Sequence, residues 1–197
     1  MRARSKRGAR FNLMLLEEGE LFFDDYLVGM VTHHTPTFPR DVSKAVTRKL
    51  QRGQLKVCSR SLYFQPDDLS LPVVRYPLKK LKEAPAAAEA VFPPRAMLTM
   101  PAETMDILKR SIILRSTSAV EMKAGGRIAP YETVDLEKAP GVTKATGPPV
   151  LVISFSHTKP AAVLPLMTQL WTVATTARGV ADEEEALAAE IRRRHAG

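Results

Sequence analysis

Residues 52–81, RGQLKVCSRSLYFQPDDLSLPVVRYPLKKL, constrain the fold more than any other stretch. Gln54–Ser59 alternates, with Leu55 and Val57 on one face and Lys56 and Cys58 on the other, as a half-buried strand does. Ser61–Gln65 is a second β-prone run. Only Ser59 and Arg60 lie between the two, which leaves a tight hairpin or one bent strand pair. Pro66-Asp67-Asp68 is a turn with a mechanism, because proline presets φ and aspartate bonds nearby backbone. Val73–Tyr76 is a third strand, ended by Pro77, which cannot donate to a ladder. Leu78–Leu81 is expected to resume as an edge.

The rest of the chain continues in the same style. Val150–Ser156 reads as a strand with Leu151, Ile153 and Phe155 on one face. SIILRST, within 107–117, and Val120–Lys123 are further strands, the latter ended by Gly125-Gly126, and Arg127–Tyr131 is a short one. Phe22–Tyr26 and Phe23–Leu27 keep i, i+4 spacing, so 16–31 reads as a helical turn or a strand. One helix is expected over 41–50. Residues 83–105, rich in alanine and proline, read as an irregular loop with a helical turn at 86–91. Residues 136–149 read as another irregular connection.

A helix follows Thr158 as N-cap and Pro160 in its first turn. Val163, Leu166, Met167, Leu170, Trp171 and Ala174 form its apolar stripe. Pro165 is expected to delay the regular helix, and Gly179 to cap its end. Residues 181–194 form a polar helix, acids first and bases last. The order predicts a mainly β (α+β) fold: a bent antiparallel sandwich or partial barrel of about seven strands, capped by a C-terminal α-helix.

Length and charge bound the function. At 197 residues the chain fits one domain with tails. The net charge of +8 is unevenly placed. Residues 1–10 carry five bases and no acid, 11–35 five acids and no base, and 36–60 seven bases against Asp41. Such a patch attracts phosphates or acidic proteins, or is a solvated face. The one cysteine, Cys58, excludes an internal disulfide framework, fits a reducing compartment, and reads as a small buried hydrophobe. No run is long enough for a membrane-spanning helix, and Glu17-Glu18 cuts Phe11–Leu16 too short for a signal core. The expected location is cytoplasmic, with peripheral contact at membranes.

No chemistry of catalysis is visible. Ser154, Ser156 and His157 lack a nucleophile-elbow pattern. His33-His34 has no partner at metal-ligand spacing, so no metal is expected. Walker and dinucleotide fingerprints are absent, and no cofactor is implied. Trp171 belongs to the helix stripe and reads as core.

The pattern RGxLKxCSxSxxFxPDxxSxPxxxxPL at 52–78 closely resembles the N-terminal region of BEACH-family proteins related to the factor associated with neutral sphingomyelinase activation. RFNLMLLEEGELFFDDY at 10–26, SIILRS at 111–116, IAPY at 128–131 and VLVISFS extend the likeness over most of 10–178. GxLxVxxxxLxF also occurs in GRAM domains, members of the pleckstrin-homology (PH) superfold. The resemblance implies a PH/GRAM-like domain over 11–178, between a disordered basic tail at 1–10 and a polar helical tail or linker at 179–197. In the family this domain precedes a second PH-like domain, a BEACH domain and WD repeats, so the chain reads as a fragment or a free-standing copy.

The resemblance also implies a non-catalytic scaffold or adaptor role. PH-type modules bind phosphoinositides with bases around their first strands, because each phosphate accepts several charge-assisted bonds. Arg48, Lys49, Arg52, Lys56, Arg60, Lys79, Lys80 and Lys82 are the candidates here. Expected partners are anionic lipid headgroups, a protein partner or the neighbouring BEACH domain, in signalling or trafficking. The rival reading is a basic nucleic-acid-binding β-barrel. Acidic 11–35 and the lack of interleaved aromatics speak against it.

Overall fold

A computed structural model describes residues 11, 16–31, 39–122, 131–138, 149–176 and 181–195. The expectations for the basic tail, for His33-His34, for Arg127–Pro130 and for Gly179 lie outside the described residues.

Nine strands form one antiparallel sheet: β1 (Phe22–Val31), β2 (Gln51–Cys58), β3 (Ser61–Pro66), β4 (Val73–Pro77), β5 (Ala86–Ala87), β6 (Ser111–Arg115), β7 (Ser118–Met122), β8 (Tyr131–Asp135) and β9 (Val150–Phe155). Their order is β5-β6-β9-β1-β2-β3-β4-β7-β8. β6 and β7 stand near opposite ends of that order, yet only Ser116 and Thr117 separate them in the chain. One bent run therefore joins the two flanks. The chain after β4 completes the join. Lys82 N–H donates to Arg115 O (2.8 Å) and Thr117 N–H donates to Lys80 O (3.0 Å). The sheet curls into the expected PH-like partial barrel, with a two-residue β5 and an extra short strand beyond about seven.

Inside lies the main core, with Leu55, Val57, Leu62, Phe64, Tyr76, Leu114, Leu151, Ile153 and Phe155 pointing inward. Alternation along β2 and β3 puts these residues there, as the sequence predicts. Helix α5 (Pro160–Thr176) closes the core with Val163, Leu166, Met167 and Leu170, and Trp171 and Ala174 pack at its margin. The helix runs through Pro165, which sits exposed. A carbonyl orphaned there can meet water, which lessens the usual cost of an internal proline.

Within 16–31, Phe22–Val31 resolves as a strand. Register slips between Phe22 and Asp24 opposite Cys58 and Val57, a β-bulge at Phe23. An extra residue swaps the faces on either side of it. Phe23 and Tyr26 consequently pack on the inner core while Phe22 packs on the outer face.

The structure differs from expectation at 83–105. That region is not an irregular loop. It holds α2 (Ala88–Val91) and α3 (Pro94–Leu98), and then leads into α4 (Ala102–Lys109). With α1 (Pro39–Lys49) these helices cover the outer face of β6, β9 and β1, burying Phe92, Met97, Met100, Leu108, Ile113, Val150 and Val152. The prolines read as breakers are starters: Pro94 opens α3 and Pro101 caps α4. Proline suits a first turn, whose N–H has no helical partner. Accordingly 107–117 is divided, with helix to Lys109 and strand from Ser111.

Leu78–Lys80 forms a 3₁₀ turn, and only Leu81 makes a bridge, to Ser116. Leu136–Lys138 is likewise a 3₁₀ turn, after a strand at Tyr131–Asp135, while 139–148 of the expected connection lie outside the described residues. The polar helix α6 (Ala181–His195) buries Ala188 and packs Ile191 against the core.

Candidate functional site

The bases singled out in the sequence do not come together. β2 from Gln51 to Cys58 spans roughly 23 Å at about 3.3 Å per residue, and it separates them into two ends. Arg52 lies exposed at one end. Arg48 and Lys49 occupy the last turn of α1 just before it, with side chains outside the described set. Arg60 and the Leu78–Lys80 turn lie at the other, joined by Leu78 N–H donating to Arg60 O (2.9 Å). Lys56 sits between, on the outer face.

At the Arg60 end much of the charge is already answered. Residues 16–21 run as a strap over the outer face of β3 and β4 and lead into the start of β1, which pairs with β2. Lys56 Nζ meets Asp25 Oδ2 at 2.5 Å and donates to Gln54 Oε1 at 2.9 Å. Its ammonium also stands 6.0 Å over the Phe11 ring. Arg60 donates to Glu18 O at 2.6 Å. Arg75, from β4, meets Glu17 Oε1 at 2.5 Å. Tyr63 donates its hydroxyl to Glu20 Oε2 at 2.8 Å. Leu21 N–H donates to Ser59 Oγ at 2.9 Å, and Ser59 N–H returns a bond to Leu21 O at 2.8 Å. Lys79 and Lys80 remain exposed, while Lys82 meets Glu137 at 3.1 Å.

Beneath the strap is a small apolar cluster of Cys58, Tyr63, Val73 and Met122, with Phe11, Leu16 and Phe22 packed on it. Cys58 is therefore a buried hydrophobe, and burial pushes its thiol well above the ordinary range. Burial chiefly, with Glu20 beside it, does the same to the Tyr63 phenol. Burial likewise raises the Glu20 carboxyl against the lowering effect of its two hydrogen bonds.

Sequence reasoning missed the strap. The signal was available in the charge blocks: an all-acid segment just before a basic one is a candidate for pairing with it. It also missed a second basic region that only the fold assembles. Two adjoining hollows lie beside the Arg52 end. One, of about 420 Å³, is lined by Leu27, Leu50, Arg52, Asp67, Ile107 and Arg110 among others. Its neighbour, of about 470 Å³, is lined by Glu89, Lys109, Arg110, His157, Lys159 and Pro160 among others. Arg110, Phe155 and Ser156 border both. These bases are scattered over more than a hundred positions of sequence, so no local run announces them.

Ser154 Oγ is buried and donates to Ile107 O at 3.3 Å, so it is held as a structural hydroxyl. Among the described residues no three potential ligands cluster to hold a metal ion. No described helix is long and apolar enough to cross a membrane.

A curled antiparallel sheet plugged by a C-terminal helix is the PH-type arrangement. PH modules as a class act by docking lipids or proteins, without catalysis. The family described as FAN protein N-terminal PH domain matches residues 1–183, which takes in the strap, the whole sheet and α5. The chain belongs to the family of FAN protein N-terminal PH domains.

Proposed function

We propose that this domain is a docking module of a BEACH-type scaffold protein, packing against a protein neighbour such as the family's following domains. It would serve a signalling role of the sphingomyelinase-activation kind or a trafficking role, in the cytoplasm or peripherally at membranes. One observation carries the reading: the strap and the start of β1 engage bases of β2 and β4 with the domain's own acids, at Lys56–Asp25 and Arg75–Glu17. A phosphoinositide headgroup would have to displace those contacts. Nucleic acid would meet the same obstacle, and among the described residues no row of exposed aromatics accompanies the bases.

Direct membrane contact is the second reading, favoured by the exposure of Lys79 and Lys80. Each base near an anionic leaflet contributes about 1 kcal/mol, so the pair supplies roughly 2 kcal/mol, too little to hold a domain alone. Lys82 adds less, since Glu137 accompanies it.

Calorimetric titration with a separately produced BEACH domain and its PH-like companion tests the first reading, with saturable binding expected. Sedimentation with phosphatidylserine and phosphoinositide vesicles at physiological salt tests the second. Strong pelleting that disappears in Lys79→Glu/Lys80→Glu/Lys82→Glu, together with no binding to the neighbour, would replace protein docking with membrane attachment.

A further inference from the structure

The basic hollows at the Arg52 end have a shape and chemistry that the hairpin lacks. Arg52, Lys109, Arg110 and Lys159 are all exposed on their rims. Among the described residues none of these four makes an ion pair with another. Arg110 Nε donates only to Asp106 O, at 3.2 Å, which anchors the guanidinium where the two hollows meet. The acids on the walls are Asp67 and Glu89. Positive charge therefore dominates, and it is free to meet an incoming anion.

The floor is apolar. Leu27 is 51% exposed, although it sits in the middle of the sheet on β1, and it faces the first hollow. Ile107 and Leu50 continue that floor. Pro160 and Ala161 extend it into the second hollow. An exposed leucine flanked by unpaired bases is a poor surface unless something covers both.

We propose that the joined hollows form a groove for an extended acidic polypeptide segment with apolar residues between its carboxylates. This rests on the reading of the domain as a protein-docking module and names the partner's chemistry. Arg110 would hold a carboxylate at the centre, with Arg52 and Lys159 taking acids to either side. An apolar side chain would cover Leu27. Concavity decides between a peptide and a bilayer: a lipid surface meets projecting groups, whereas a chain can lie along two linked depressions. Guanidinium groups suit the task because they bind carboxylates bidentately and are weakly hydrated.

The test uses fluorescence anisotropy with a labelled peptide of about twelve residues alternating glutamate and leucine, and a matched peptide with glutamine for glutamate. The expected result is saturable binding of the acidic peptide alone. Arg52→Glu/Arg110→Glu should weaken it at least tenfold, and Lys79→Glu/Lys80→Glu should leave it unchanged. Raising salt several-fold should weaken it too, as partly exposed charges are screened. All four substituted positions are exposed, so thermal melting should not move. Equal binding of the glutamine peptide, or full binding by Arg52→Glu/Arg110→Glu, overturns the groove. So does pelleting on phosphatidylserine vesicles that is lost in that variant while the peptide fails to bind.

Titrating the neighbouring domains against the same variant separates the two readings. If they bind wild type and Arg52→Glu/Arg110→Glu alike, the groove falls and protein docking stands. If they bind neither while the peptide binds, the groove stands and the chosen neighbour is wrong.

Discussion

Glu20 shows what a single position contributes to the strap. Its side chain is 6% exposed and surrounded by Glu17, Tyr63, Arg75 and Cys58. One oxygen accepts bonds from Glu17 N–H at 3.0 Å and from the Tyr63 hydroxyl. The other finds no hydrogen-bond partner among the described residues. Burial is the largest influence and raises the carboxyl above 4.5, with Glu17 adding to it; the hydrogen bonds and Arg75 oppose it. The folded state thus binds a proton more readily than the unfolded chain does. Between the ordinary carboxylate range and the raised value, stability increases as pH falls and is lost as pH rises through the folded value. Wild type should gain stability relative to Glu20→Gln when moved from neutral to mildly acidic buffer. Urea midpoints of the two proteins at several pH values read this difference. A gap that stays constant with pH would show that Glu20 does not titrate abnormally.

At the scale of elements, legibility follows the clarity of the local period. β2, β3, β4 and β9 could be read because Leu55, Val57, Leu62, Phe64 and Ile153 alternate, and α5 because its stripe repeats every three or four residues. The helices within 83–109 were hidden. Their alanines carry little hydrophobic contrast, and prolines in pairs look like linker until the first turns are seen. The candidate site was legible only as composition: the bases could be named, but their pairing with Glu18 and Asp25 depends on the path of the strap and of β1, which no motif encodes. Arg110 and Lys159 become neighbours only when α4 and α5 flank the end of β9. These helices are structural: Phe92 is 3% exposed while Leu98 is 77% exposed. Phe92→Ala should cost about 3–5 kcal/mol, the range for an aromatic removed from a core. Leu98→Ala should stay within roughly 0.5 kcal/mol, as surface changes do. Chemical denaturation of both variants checks this, and comparable losses would contradict the layered packing.

At the scale of the molecule, charge and closure solve two different problems. Acids of 17–25 meet bases of β2 and β4, so a chain of net charge +8 has a hairpin face that is largely self-neutralised. Among the described residues, exposed bases remain at the Arg52 end and at the Lys79–Lys80 turn. Closure depends on the 111–122 run, which lends β6 to one flank of the sheet and β7 to the other. At its bend Thr117 N–H donates to Lys80 O, and Thr117 O accepts from Leu136 N–H at 2.9 Å. The Thr117 hydroxyl also donates to Lys80 O at 3.1 Å. If the bend couples the flanks, removing its donor should weaken the whole domain rather than fray one edge. Thr117→Pro deletes the N–H and should lower stability by about 1–3 kcal/mol. Thr117→Val keeps the N–H, loses only the exposed hydroxyl bond, and should cost less than about 1 kcal/mol. Tryptophan fluorescence reports α5 through Trp171, and far-ultraviolet circular dichroism reports the sheet. Both probes should shift to the same lower midpoint in Thr117→Pro. A shift in one probe alone would mean that the flanks melt separately and that the 111–122 bend does not bind them into a single unit.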